Sequence, residues 1–265
     1  MPSNMDKPIF PITVPTEFRI IAHRGASAYA PENSLAAFRL AKMMGATEIE
    51  FDLQFSKDSQ IMVCHDRVLD RYGYPGLKVA ELTCENLMTL DMGSWFSPYN
   101  FHGERMMTFN ELLAEFGKNF TYHAEIKEPA PGLAEMVLET LTAHGVQDRT
   151  IVTSFHFDAL VEVKVLAPGQ RVGWLVREGG INTENIERAA DANFHQLCPM
   201  AGETNEDMVQ AAQARLAEVR AHSVKGVATM IQAIEAGCTG MTINWPDWLV
   251  HEKRQTNHNN DEVGR

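Results

Sequence analysis

Apolar residues recur along this chain in short runs of alternating or continuous character, separated by longer stretches where they return every three or four positions. The first pattern marks strands and the second amphipathic helices. On that basis a strand is predicted at Phe18–Ala22, then a helix near Asn33–Met44, with Asn33 or Ser34 as its cap and Gly45 as its stop. A strand at Thr47–Phe55 and a short extended piece at Gln60–Cys64 follow. Beyond an irregular stretch rich in Gly, Pro and aromatic residues, a helical segment near Thr108–Phe116 precedes a strand at Phe120–Ile126. The alternation is then regular: helices at Pro131–His144, Phe157–Leu166, Thr183–Ala192, Asn205–Ala214 and Lys225–Ala236 lie between strands at Thr150–Ser154, Arg171–Leu175, Phe194–Cys198, Glu218–His222 and Gly240–Ile243.

Counting the strands that lead into a helix, or into an excursion containing one, and the closing strand gives the number that closes a parallel sheet into a (β/α)8 TIM barrel. An open doubly wound sheet would share the alternation, but it usually carries a glycine-rich phosphate turn after its first strand. His23-Arg24-Gly25-Ala26-Ser27 lacks that spacing. The excursion at approximately 67–107 is too long for a plain loop and reads as a functional insertion or a lid. The expected organisation is one barrel domain over 1–250 and a polar tail over 251–265.

The strand at Thr47–Phe55 carries the first chemistry. Side chains alternate across a strand, so Ile49, Phe51, Leu53 and Phe55 share one face and Glu48, Glu50, Asp52 and Gln54 the other. The outer face of a barrel strand packs on helices, so the acidic face must look inward. The next barrel strand repeats the arrangement, with Tyr122, Ala124 and Ile126 opposed to His123, Glu125 and Lys127. Glu50, Asp52 and Glu125 thus converge in the C-terminal halves of their strands, where barrel enzymes place their reactive groups. Crowded carboxylates require protonation, cationic neighbours or a metal ion, and oxygen ligands without a cysteine cluster favour Mg²⁺ or Ca²⁺ over zinc. An inward ion-pair network balanced by Arg24 and Lys127 is the alternative reading of the same residues. His23 and His65, each at a strand end on the same rim, would add a proton acceptor and a proton donor.

Composition narrows the partners. Lys and Arg number 23 against 35 Asp and Glu, a net charge of −12, which disfavours attachment to nucleic acid or anionic membranes through bulk charge. Cys64, Cys84, Cys198 and Cys238 are too scattered for a disulfide framework or a zinc motif. No apolar run reaches the length of a membrane span or a signal-peptide core, so a cytoplasmic protein without a stable membrane anchor is expected. The sequence leaves its oligomeric state unknown.

His23-Arg24-Gly25, Pro31-Glu32-Asn33-Ser34, Glu50-Phe51-Asp52, His65-Asp66 and Glu125-Ile126-Lys127 occur in an order that resembles the signature of the glycerophosphodiester phosphodiesterases. Ser154-Phe155 and the closing Gly240–Asp247 segment are similar to the family more loosely. The resemblance implies a TIM barrel with a small insertion after the second strand, a divalent cation held by Glu50, Asp52 and Glu125, His23 and His65 as the acid/base pair, and Arg24 and Lys127 gripping phosphate oxygens of a small-molecule phosphodiester. Two departures bear on the alcohol group: Tyr72-Gly73 follows Leu69-Asp70-Arg71 where the family commonly has two threonines, and His222-Ser223 replaces a tryptophan and a small hydroxyl residue. Asn244 also stands where Asp is usual. A lysophospholipase D-like enzyme or lyase on the same scaffold, and a catalytically silent phosphodiester-binding protein, are the competing expectations. Trp95, Phe96, Trp245 and Trp248 are candidates for an apolar pocket wall or for ordinary packing.

Overall fold

The computed structural model describes residues 10–252. In chain order its strands are β1 (Ile12–Val14), β2 (Arg19–His23), β3 (Glu48–Phe55), β4 (Ile61–Val63), β5 (Met107–Thr108), β6 (Thr121–Ile126), β7 (Thr150–Ser154), β8 (Arg171–Leu175), β9 (Gln196–Cys198), β10 (Glu218–Ala221), β11 (Gly240–Ile243) and β12 (Leu249–His251). The helices are α1 (Leu35–Met43), α2 (Cys84–Met88), α3 (Phe109–Phe116), α4 (Leu133–Ala143), α5 (Phe157–Leu166), α6 (Thr183–Asp191), α7 (Glu206–Gln213) and α8 (Val227–Glu235).

Parallel pairing runs β2-β3-β6-β7-β8-β9-β10-β11 and returns to β2, so the sheet closes as the eight-stranded barrel and the open doubly wound alternative is excluded. Closure depends on Gly240, which lies beside Arg19 across the β11–β2 seam: a Cβ there would fall 2.6 Å from the Arg19 Cβ and 2.7 Å from its carbonyl oxygen. The outward face of β3 is apolar as expected, and Ile49, Phe51 and Leu53 are fully buried under the helices. Phe51 meets Phe109, Tyr122 and Phe38 at centroid distances of 5.6, 6.0 and 6.3 Å. Burying such a side chain contributes about 1.5–3 kcal/mol, which anchors the strand whose other face carries the acids.

Several boundaries differ from the sequence reading for identifiable reasons. Side-chain caps start the helices at or after their polar leaders: Ser34 accepts from Ala37 N at 3.1 Å, and Asn182 and Asn205 do the same for α6 and α7. The piece predicted at Gln60–Cys64 is β4, which folds back antiparallel on the end of β3 with Leu53 opposite Val63 and Phe55 opposite Ile61. β4 also carries β5 on its other edge. The insertion between them has its own apolar cluster, including Leu69, Tyr72, Val79, Leu87 and Met92, around the short α2. The polar tail expected from His251 starts too early, because His251 belongs to β12, which pairs with β1 through Val14. Residues 253–265 lie outside the described residues. The four cysteines are free thiols.

At the N-terminal end of the barrel Arg19 is the hub of a polar plug. Its guanidinium bonds Glu48 at 2.8 Å and Glu218 at 2.6 Å. Glu48 also takes a hydrogen bond from His123 Nε2 at 2.8 Å, and Gln196 donates to Glu218. Arg19→Met would strand two largely buried carboxylates, a loss of about 3–5 kcal/mol. Urea denaturation is expected to give an unfolding free energy lower by that amount, with a correspondingly lower midpoint.

Candidate active site

At the C-terminal end of the barrel, register does the assembling. Asp52 on β3 pairs across to Glu125 on β6, and Glu50 pairs with His23 on β2. Oxygens of Glu50, Asp52 and Glu125 all come within 4.8 Å of one another, and all three residues are buried. The carboxyl of Glu50 is pushed well above the usual range, first by burial and then by the negative charges of Asp52 and Glu125. Glu125 is raised by burial and by Asp52. Asp52 is held low despite its burial, because Arg24 and Lys127 outweigh the desolvation.

Loop geometry delivers those cations. Arg24 adopts the left-handed backbone conformation, φ 55°, directly after β2, and Gly25 follows at φ 83° where a Cβ would fall 2.6 Å from the Ala37 carbonyl carbon of α1. This tight turn sends the Arg24 guanidinium back over the barrel, with Nε 3.1 Å from Asp52 and Nη1 donating to both oxygens of Glu32 at 2.9 Å. Lys127 Nζ lies 2.9 Å from Glu125 and 3.5 Å from Asp52. Asn33 is not the helix cap; it also sits at positive φ and donates through Nδ2 to Asp52 at 2.8 Å.

The two rim histidines are backed by different groups. His23 Nδ1 lies 2.6 Å from Asn244 Oδ1, which fixes its N–H on that nitrogen and leaves Nε2 3.8 Å from Glu50. Burial, then the charge of Arg24, pushes His23 below the usual imidazole range. His65 is carried back over the barrel by the β3–β4 hairpin, whose last link is Cys64 N donating to Asp52 O at 3.0 Å. Its Nδ1 bonds the Asp66 carboxylate at 2.5 Å.

A cavity of about 230 Å³ opens beside these groups. His23, Arg24, Glu50, His65, Glu125 and Lys127 line it, and Asp52 joins them from beneath through its contacts with Arg24 and Lys127. All seven sequence candidates therefore converge. The sequence reading missed Arg220, a guanidinium 1% exposed on the cavity wall that donates to Thr242 Oγ1. The polar inward phase of Glu218–His222 was the signal for it. His222, one of the departures that bear on the alcohol group, lines the cavity, and its Nε2 hydrogen-bonds the Val176 carbonyl at 3.0 Å. Of the cavity's fourteen lining residues, Phe155, Leu175 and Val224 are apolar. The four aromatic candidates pack elsewhere: Trp95 sits edge-on to Tyr72 and Phe96, and Trp245 stacks on Trp248 at 4.6 Å.

A parallel barrel with paired imidazoles, cations and a buried carboxylate trio at its C-terminal mouth is the arrangement of an enzyme acting on an anionic substrate. Residues 23–248 match the model of the glycerophosphoryl diester phosphodiesterase family, and the chain belongs to that family. The glycerophosphodiester phosphodiesterase of Caldanaerobacter subterraneus subsp. tengcongensis is 30% identical over 89% of this chain and 98% of its own. The structure of an Oleispira antarctica phosphodiesterase in complex with the product sn-glycerol-3-phosphate has a TM-score of 0.77 at 27% identity, covering 86% of this chain and 94% of that one. A glycerophosphodiester phosphodiesterase structure from Agrobacterium tumefaciens shares the fold at a TM-score of 0.76 and 23% identity, over 87% and 98% of the two chains.

The carboxylate trio fits a hard divalent cation on its own chemistry. Its donors are all oxygens, Glu50 and Glu125 are raised by burial and by the charge of Asp52, and Asp52 Oδ1 is buried without a hydrogen-bond partner. Replacing Asp52 by Asn removes the ligand that stays ionised. Titration calorimetry with Mg²⁺ or Ca²⁺ is expected to find one site in the parent chain and an affinity lower by about 100-fold or more in Asp52→Asn, since charge count sets affinity in such sites.

Proposed function

We propose that this protein hydrolyses glycerophosphodiesters to sn-glycerol 3-phosphate and an alcohol, using a divalent cation, Mg²⁺ or Ca²⁺, and two histidines. The single observation that carries the reading is the convergence of His23 and His65 on one cavity with the Glu50, Asp52 and Glu125 trio and with Lys127 and Arg24. Family membership and the product named in the Oleispira antarctica complex support the substrate class.

His23, neutral and backed by an amide, is assigned as the base: its Nε2 takes the proton from the attacking water, or from a substrate hydroxyl whose cyclic phosphate water then opens, as that oxygen bonds to phosphorus. His65, backed by the Asp66 carboxylate, is assigned as the acid: it gives a proton to the departing alcohol oxygen as the P–O bond breaks. Arg24 and Lys127 hold phosphate oxygens and oppose the charge that builds on them. A divalent ion on Glu50, Asp52 and Glu125 would supply Lewis-acid polarisation of the phosphoryl group. The cavity is small, and all its lining residues but Phe155, Leu175 and Val224 are polar, which suits a glycerol head group better than an acyl chain. A cytoplasmic setting is part of the proposal; none of the described helices is long and apolar enough to cross a membrane.

The test is a panel of glycerophosphodiesters and lysolipids assayed with Mg²⁺, Ca²⁺ or chelator, alongside His23→Ala and His65→Ala. Turnover of the glycerophosphodiesters is expected to vanish with chelator and return with cation, and each variant is expected to lose about 10²–10⁴-fold in kcat while keeping its circular dichroism spectrum. Preference for lysolipids would favour the phospholipase reading. Binding without turnover at every cation would favour a silent phosphodiester binder, and full activity in either variant would remove that histidine from the mechanism.

A further inference from the structure

The insertion contributes one residue that reaches both halves of the site without lining its cavity. Arg71, at the end of the insertion's first turn, presents Nε to Asp66 Oδ2 at 3.0 Å, and the other oxygen of Asp66 is the partner of His65 Nδ1. The remaining guanidinium edge faces Glu32: Nη1 donates to Oε2 at 3.1 Å and Nη2 to Oε1. Glu32 is in turn the carboxylate on which Arg24 rests. The planar head lies 4.9 Å from the ring centroid of Trp95 and 5.0 Å from that of Tyr72, and Nη2 also bonds the Tyr72 hydroxyl at 2.9 Å.

These contacts use a guanidinium in a way a point charge cannot match. Five donors in a fixed plane fix the angle between the two carboxylates they bridge, and stacking on aromatic rings sets the orientation of the plane. Asp66 is a short side chain, a quarter exposed, adjacent in sequence to the histidine it supports. Without a second partner its carboxylate is free to rotate towards solvent, and the His65 ring loses its reference. The apolar cluster around Tyr72 and Trp95 supplies the rigid seat for Arg71.

We propose that Arg71 is a positioning residue: held by Glu32 and the Tyr72–Trp95 pair, it locks Asp66, which in turn aims His65 at the substrate. This gives the insertion a direct part in the reaction and rests on the assignment of His65 as a proton donor.

The test is a double-mutant cycle in the full-length enzyme with a glycerophosphodiester and its activating cation. Arg71→Ala is expected to lower kcat about 10- to 100-fold, the cost of a misplaced reacting group, with KM changing less than about threefold. Free guanidinium chloride at low concentration is expected to restore part of the lost kcat in Arg71→Ala and none in Asp66→Asn. Because Arg71 acts through Asp66, adding Arg71→Ala to Asp66→Asn is expected to cost less than about threefold more. Should Arg71→Ala fail to fold, Arg71→Lys enters the same cycle, since it keeps the charge and loses the bridging plane. Fully additive losses, or a loss confined to KM or to the folded fraction, would overturn the proposal. Unimpaired turnover in His65→Ala would instead overturn the two-histidine reading, so the two failures are separable.

Discussion

The organising constraint of this molecule is like-charge crowding across one strand pair. The β3–β6 register sets Asp52 beside Glu125, and the β2–β3 register sets Glu50 beside His23, so three carboxylates face a common volume away from bulk water. Such a cluster has no stable charged state by itself. The protein offsets part of the repulsion with Arg24 and Lys127, which favours ionised Asp52, yet Glu50 and Glu125 remain raised. The remaining imbalance leaves a cluster whose chemistry suits a divalent ion. It also explains why cations already in contact with the acids line the same cavity as the imidazoles.

The same strands solve the opposite problem at their other ends. Glu48 begins β3 as Asp52 approaches its end, and Arg19 begins β2 as His23 closes it. At the N-terminal end the acids are fully matched: Arg19 is shared between Glu48 and Glu218, and His123 and Gln196 complete the plug. There the carboxylates are lowered, and at the mouth two of three are raised. Closed pairing suits stability, whereas incomplete pairing suits ligand capture. The difference in counter-charge, more than the identity of the acidic residues, separates scaffold from site along a single strand.

Much of this was legible in the chain because period-two alternation is a strong signal where one face is wholly apolar. Ile49, Phe51 and Leu53 marked the outer face of β3, and their polar neighbours could then point only inward. The barrel count followed from regular alternation after Thr121. The antiparallel turn of β4 was not legible, since a three-residue apolar run carries no direction, and neither was the β1–β12 pair, whose partners are more than two hundred residues apart. Arg220 escaped notice because β10 is only four residues long, too short for its alternation to stand out. The cap of α1 was legible only as a choice between Asn33 and Ser34, and Ser34 fills it. Asn and Ser compete for the same capping position, and tertiary contact with Asp52 decided between them.

The chemical asymmetry of the site follows from what stands behind each imidazole. Both histidines use Nδ1 for a short contact and leave Nε2 for the cavity, so geometry alone would make them equivalent. Their partners break the symmetry. Asn244 offers His23 a neutral oxygen in the position where a carboxylate is usual, and a neutral partner orients the ring without stabilising positive charge on it. Deep placement and the nearby Arg24 then favour the uncharged ring, the form able to accept a proton. Asp66 offers His65 a full negative charge, and Arg71 keeps that carboxylate from turning away. In the proposed mechanism, an amide on one side of the mouth and a buttressed carboxylate on the other divide the acid and base roles between two otherwise similar side chains.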